Sequence, residues 1–154
     1  MAEIITWCFS KRAILKWLQV LCCFLAILFL IDGKRQWQLY QFIFTVDILL
    51  AILTIVTLVV YFMHIHKSNQ ELWVKIELAF NAVAALASII FSGFLLYDYI
   101  KLENNEYYHH QNLPPPDIGK TGWTNRIRIV VFSQIMQSVF YLLSLYWAHR
   151  HGLN

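Results

Sequence analysis

The sequence predicts an all-α integral membrane protein, a four-helix transmembrane bundle whose spans run up-down-up-down. Four long apolar runs are separated by polar segments, and a helix needs roughly 20 apolar residues to cross the hydrocarbon core of a bilayer. Hydrophobic residues make up 59% of the chain and charged residues only 14%, against about 25% charged in a typical soluble domain. We therefore expect residues 1–154 to form a single transmembrane domain.

The four spans are expected at about residues 13–31, 38–64, 75–100 and 127–147. Basic residues before an apolar run are also typical of a signal peptide, but the run ends in LIDGK without a small-residue cleavage site, and three more spans follow. The first helix is therefore predicted to be uncleaved. The segment DGKRQW predicts a tight turn after it, and HIHKSNQELW predicts a short connection between spans two and three. Residues 101–126 are predicted to form a long outer loop.

The third span carries a stripe of small and polar residues on one face of the helix. Successive members are three or four residues apart, which stacks them along one side. They are Glu77, Asn81, Ala84, Ser88 and Ser92. Such residues let a neighbouring backbone approach closely and form hydrogen bonds between helices, so the stripe predicts a packing face. The alternative is a lone anchor with incidental serines.

Asp47 is the one charged residue within the second span, and it lies about 13 Å into the span at a rise of about 1.5 Å per residue. A carboxylate at that depth costs ~2.5–3.5 kcal/mol on insertion scales, so we expect it to face the bundle interior. Side chains at a similar depth on the other spans are candidate partners; they are Gln134, Gln137, Ser88 and Ser92. The cluster fits a hydrogen-bonded clasp, a proton or ion site, or a contact with a partner helix.

Glu77 and Asp98 lie near the two ends of the third span, where we expect them to reach head groups or water. The histidines occur as three close pairs: His64 and His66, His109 and His110, and His149 and His151. The middle pair has acidic neighbours in sequence, Glu103 and Glu106, and these fall in a loop. Because a tetrahedral metal site needs four ligands, or three and a water, we expect no metal site.

No catalytic constellation is present in the sequence. It contains no glycine-rich phosphate loop, no Gly-x-Ser-x-Gly and no His-Glu-x-x-His, so we expect neither an enzyme nor a cofactor. The net charge of +3 is too small and too dispersed for nucleic acid. Cys22 and Cys23 fall inside the first span and predict no disulfide, while Cys8, just before it, is a candidate for palmitoylation or remains an unmodified thiol.

Four spans place both termini on the same side of the membrane, but the basic residues do not decide which side. The 12 Lys and Arg residues divide equally between the two faces. We expect the termini in the cytosol of a plasma-membrane or endomembrane protein, because the first helix often sets the orientation and Lys11, Arg12 and Lys16 lie on its leading side.

The arrangement of spans resembles the MARVEL-domain family of four-span membrane proteins, from about Lys11 to Ala148. Three features carry the resemblance: basic residues leading into a Leu-rich first helix (KRAILKWLQVL), an acidic residue entering the third span (KIELAFNAVAAL), and two unequal loops on the far side. The cysteine motifs of claudins, tetraspanins and synaptophysin-type MARVEL proteins are absent.

This resemblance implies a non-enzymatic protein that organises membrane, vesicle-trafficking or membrane-apposition complexes, with lipids and other membrane proteins as partners. The alternative is a small accessory subunit of a channel, transporter or lipid-transfer assembly. A third reading is a proton- or ion-coupled pathway through Asp47. An organiser should expose a mainly apolar outer belt, whereas an accessory subunit should expose an additional small or polar stripe on one span.

The long outer loop is the expected partner-contact surface, because every other connection is short. Aromatic and histidine residues flank a stiff proline element. The candidates are Tyr107, Tyr108, His109, His110, Pro114, Pro115, Pro116 and Trp123. Alternatively, Tyr107, Tyr108 and Trp123 are interfacial anchors for the ends of spans three and four.

Overall fold

The computed structural model describes residues 10–152 and confirms the predicted all-helical fold class. Helix α1 is Lys11–Leu30, α2 is Gln38–Phe62, α3 is Gln70–Glu103 and α4 is Gly119–His151; a short 3₁₀ turn, Ile65–Ser68, lies between α2 and α3. Each α-helix is long and apolar enough to cross a membrane. The described chain is therefore a multi-pass bundle with an up-down arrangement of helices.

Helix α1 packs against both α2 and α4, and α3 packs against α4. Helices α2 and α3 also meet through side chains: the rings of Phe42 and Phe91 lie 5.8 Å apart, and the Tyr40 hydroxyl donates a hydrogen bond to Asp98. We call the end of the bundle that holds residues 10 and 152 the terminal end, and the end that holds residues 31–37 and 104–118 the loop end.

Side-chain caps mark where α1 and α3 begin, and residues with positive φ mark where the chain turns after α2 and α3. The Ser10 hydroxyl accepts a hydrogen bond from the Ala13 amide at 3.2 Å, and Asn69 Oδ1 accepts one from the Leu72 amide at 3.2 Å; side-chain caps of this kind satisfy amides that lack a helical partner. His64 and Asn105 adopt φ values of 57° where the chain leaves α2 and α3. This left-handed backbone conformation lets the chain change direction sharply at each position.

The buried face of α3 organises the interior. Apart from Ala85, which is buried beside Ala84, its buried positions alternate between steps of four and three residues: Glu77, Asn81, Ala84, Ser88, Phe91, Leu95, Asp98 and Leu102. A spacing that averages 3.5 residues keeps one seam turned towards the neighbouring helices. The seam is polar and small towards the terminal end and, apart from Asp98, apolar towards the loop end, where it joins a core around Leu30, Tyr40 and Trp123.

Helices α3 and α4 are longer than the expected spans, and the loop between them is shorter. The loop occupies residues 104–118, within the expected 101–126. At about 1.5 Å per residue, α3 is about 50 Å long, which exceeds the roughly 30 Å hydrocarbon core. Its ends therefore extend beyond that core and include polar residues such as Lys101 and Glu103. The loop folds back onto the bundle, since the Gln36 carbonyl accepts the Gln111 amide at 2.7 Å.

Two glycines offer a matched test of packing at the loop end. A Cβ on Gly33 would lie 2.1 Å from Gln36 Nε2 and 2.2 Å from the Trp123 ring, whereas a Cβ on Gly93 would meet nothing within 4 Å. We expect Gly33→Ala to destabilise the protein by roughly 1–3 kcal/mol through overpacking, and Gly93→Ala to be neutral or to stabilise by up to about 1 kcal/mol. Thermal unfolding of the purified variants in detergent measures both. Equal melting temperatures would contradict the close packing of Gly33 on Trp123.

Candidate functional site

Asp47 lies between α2 and α4 and is fully buried. Gln134 Nε2 donates to its Oδ2 at 2.6 Å, and Gln137 Nε2 donates to its Oδ1 at 3.3 Å. Gln134 and Gln137 lie three residues apart in sequence, so one face of α4 presents both amides to the carboxylate. Each carboxylate oxygen therefore has one donor, an arrangement that holds the two spans together inside the bilayer.

Neither serine that was predicted beside Asp47 contributes to it. The Ser88 hydroxyl is buried and donates to the Ala84 carbonyl at 2.9 Å, while the Ser92 hydroxyl donates to the Ile89 carbonyl at 2.8 Å. Serine in a helix commonly bonds back to a carbonyl one turn earlier, and this satisfies both hydroxyls within α3. The placement of Ser88 and Ser92 in the intramembrane cluster was therefore wrong.

Ser92 also leaves the predicted packing stripe. Glu77, Asn81, Ala84 and Ser88 are buried as that stripe requires, but Ser92 is only half-buried. The buried seam steps from Ser88 to Phe91, because alternating steps of four and three, unlike two successive steps of four, keep the seam on the bundle side.

Glu77 is paired inside the bundle, contrary to the expected position at the membrane interface. Lys16 Nζ lies 2.7 Å from Glu77 Oε1, and the two side chains are 0% and 3% exposed. Asn81 completes the group, with its Oδ1 accepting from Lys16 at 3.2 Å and its Nδ2 donating to Glu77 Oε1 at 2.7 Å. Two opposite charges with an amide between them satisfy one another, so neither needs to reach water.

Further polar contacts cross the interior between this group and Asp47. Gln19 Nε2 donates to the Ser144 hydroxyl at 2.7 Å and to the Phe140 carbonyl at 3.1 Å. The hydroxyls of Thr54 and Tyr141 lie 3.0 Å apart. Polar side chains thus link α1 with α4 and α2 with α4 at several positions along the spans.

Several buried oxygens in this interior have no hydrogen-bond partner among residues 10–152. Gln134 Oε1 and Gln137 Oε1 lie on the side chains that hold Asp47, and Gln19 Oε1 lies on the side chain that bonds Ser144. All three are amide oxygens, which accept hydrogen bonds. The two amides that hold Asp47 therefore each keep one unused acceptor.

A second cluster lies at the loop end and was not predicted. Asp98 is fully buried, and its Oδ1 lies 2.6 Å from His109 Nε2 and 2.8 Å from His110 Nε2. The sequence had placed Asp98 at the interface. The acidic residues expected beside the histidines have other partners: Glu106 pairs with Lys101 and Glu103 with Arg128. The back-folded loop brings His109 and His110 to Asp98 of α3, and no helical or strand periodicity relates these positions.

Part of the expected partner-contact surface is turned inward. Trp123 is fully buried and its Nε1 donates to the Tyr40 hydroxyl at 3.4 Å, and the His110 side chain is only 1% exposed. Pro114 is buried as well, while Tyr107 is half-buried beside the His110 ring. The placement of Trp123, His110 and Pro114 on a contact surface was therefore wrong, because polar partners and the core at the loop end hold them.

Other predicted loop residues remain accessible. Tyr108 is 95% exposed, His109 retains partial exposure, and Pro116 is exposed. Pro115 is half-buried and its carbonyl accepts the amides of Ile118 and Gly119 at 3.0 Å, where the chain enters α4. The loop is thus a folded platform rather than a projecting arm.

His66 is the one member of the terminal-end histidine pairs that is buried. It lies in the 3₁₀ turn with its ring 5.2 Å from that of Tyr61. Burial lowers the pKa of the His66 imidazole below its usual value, which favours the neutral ring. His149 and His151 are exposed, as expected for residues at an interface.

Two of the three cysteines lie within the described residues. Cys22 and Cys23 are free and buried in α1. Cys8, the candidate palmitoylation site, lies outside the described residues.

Comparison with known proteins yields no match to a family model, to a curated protein or to a solved structure.

Asp47 provides the sharpest test of the interior. We expect Asp47→Asn to fold nearly as well as the natural protein, because its amide oxygen accepts one glutamine and its NH₂ can donate to an unpartnered glutamine oxygen. Asp47→Leu should lose about 1–3 kcal/mol for each glutamine NH₂ left unpaired. Melting temperatures in detergent distinguish the two. Equal stability of the two variants would show that the carboxylate does not hold Gln134 and Gln137.

Proposed function

We propose that this chain is a non-enzymatic multi-pass membrane protein that organises membrane, vesicle-trafficking or membrane-apposition complexes, as its resemblance to MARVEL-domain proteins implies. Its partners under this proposal are lipids and other membrane proteins, and both termini lie in the cytosol. The observation that supports it most strongly is the contrast between the outer surface and the interior of the bundle.

The outer surface of the spans is predominantly apolar. Large hydrophobic side chains are exposed on all four helices, for example Phe24 on α1, Ile52 on α2, Val83 on α3 and Phe132 on α4. The polar side chains of the same helices pair inside instead, as the contacts of Lys16 and Asp47 illustrate. A bundle that pairs its buried charges internally and presents apolar side chains to lipid needs no permanent neighbour to cover those charges.

One short stretch of α3 differs from the rest of the outer surface because it exposes a small residue, which is a feature expected of an accessory subunit. Gly93 is exposed, and it lines an apolar groove with Trp37, Ile90, Phe94 and Tyr97. A glycine on an outer helical face allows another helix to approach closely. The groove is short and has few polar groups, so it favours the alternative less than a continuous outward stripe would.

The folded loop supplies an exposed contact point for partners. Tyr108 is 95% exposed and Leu113 is 67% exposed. The residues between them are tied to the bundle, through Asp98 on one side and the backbone of Gln36 on the other. Large side chains on a fixed platform lose little conformational freedom on binding, which favours specific contacts.

The experiment is a comparison of native partners. Tyr108→Ser/Leu113→Ser should fold normally, because both side chains are exposed, and should lose membrane-protein partners recovered with the natural protein in mild detergent. Met63→Ser/Ile65→Ser, which changes two exposed residues at the terminal end, is the matched control and should keep them. Retention of every partner by the loop variant would overturn the contact role of the loop. Recovery of one stoichiometric partner complex by all variants would favour the accessory subunit.

A further inference from the structure

We propose that Asp98, His109 and His110 form a binding site for a zinc ion at the loop end of the bundle. The three side chains each offer one ligand atom, and these atoms all lie within 4.8 Å of one another. Two imidazole nitrogens and one carboxylate oxygen are a ligand set that zinc uses with a water molecule in the fourth position.

The distances between the three ligand atoms are slightly shorter than those in a zinc-bound site. Both Nε2 atoms approach the same oxygen, Asp98 Oδ1, at 2.6 and 2.8 Å. With zinc–ligand bonds of about 2.0–2.2 Å, neighbouring ligand atoms in a tetrahedral site are about 3.3 Å apart. Each ligand therefore has to move by less than about 1 Å for an ion to enter between them.

The charge at the site favours a cation. Asp98 is fully buried, and its ion-pair partners among residues 10–152 are the two histidines. The nearby Lys101 and Arg128 are engaged by Glu106 and Glu103. Burying a carboxylate is costly unless a positive charge lies beside it, and a metal ion between the three groups would supply that charge.

Surrounding residues hold the ligands in place, as they do at metal centres. The Tyr40 hydroxyl donates to the second oxygen of Asp98, and Trp123 Nε1 lies 3.4 Å from that hydroxyl. The Trp37 ring packs against both imidazoles, with ring centroids 5.0 Å from His109 and 6.1 Å from His110. Tyr40 and Trp37 are thus positioning residues, while the 22% exposure of the His109 side chain leaves a way in from water.

Zinc at this position would fasten the outer loop to α3. Asp98 belongs to α3, and His109 and His110 belong to the loop. An ion shared between them joins the two segments by coordinate bonds and so orders the platform that carries Tyr108. This inference does not depend on the proposed function, because it concerns ion binding by the purified chain.

The test is a zinc titration of the full-length protein, purified in detergent with a histidine-free tag and stripped of metal by a chelator. Calorimetry should show one equivalent bound per chain, with a rise in melting temperature. His109→Gln, His110→Gln and Asp98→Asn should each weaken binding by tenfold or more, and Tyr40→Phe by about tenfold. His149→Gln/His151→Gln, an exposed pair at the terminal end, should bind like the natural protein.

The natural protein failing to bind zinc would overturn the proposal. Unchanged affinity in His109→Gln would overturn it as well. His109 is the most exposed of the three ligands, so this variant decides the matter even if Asp98→Asn or His110→Gln fails to fold.

Discussion

The rest of the bundle depends on the need to pair charges away from water. Lys16 and Glu77 place a positive and a negative charge on two different spans, both almost fully buried and 2.7 Å apart. Losing either partner would leave the other uncompensated in a medium that solvates it poorly. The pair therefore selects one rotation of α1 and one of α3, and those rotations turn the apolar side chains of both helices outward.

The need to pair buried charges also applies at two other positions in the bundle. Asp47 is held by two amides from α4, and Asp98 is held by Tyr40 and by histidines of the folded loop. Each carboxylate thus joins segments that backbone hydrogen bonds within a helix cannot join. Because the polar groups are used inside, lipid contacts are left to apolar side chains, and the contacts of Asp98 hold the outer loop on the bundle.

The sequence predicts best the features that depend only on the length and spacing of regular helices. Four spans follow from apolar length, and the contact of Asp47 with Gln134 and Gln137 follows from matching depth along two spans. The pairing of Lys16 with Glu77 was missed, since both lie near span ends where water is an equally good partner. The contacts of Asp98 with the histidines depend on the path of an irregular loop, which no helical or strand periodicity describes.

A double-mutant cycle on the buried ion pair tests the central claim most directly. Lys16→Met and Glu77→Leu should each destabilise the purified protein by about 3–5 kcal/mol, and the double variant should be more stable than either, because no charge is then left unpaired. Asn81 keeps a partner in every variant through the main-chain carbonyl of residue 77, which accepts its Nδ2 at 2.8 Å. Two single penalties that simply add in the double variant would contradict the account.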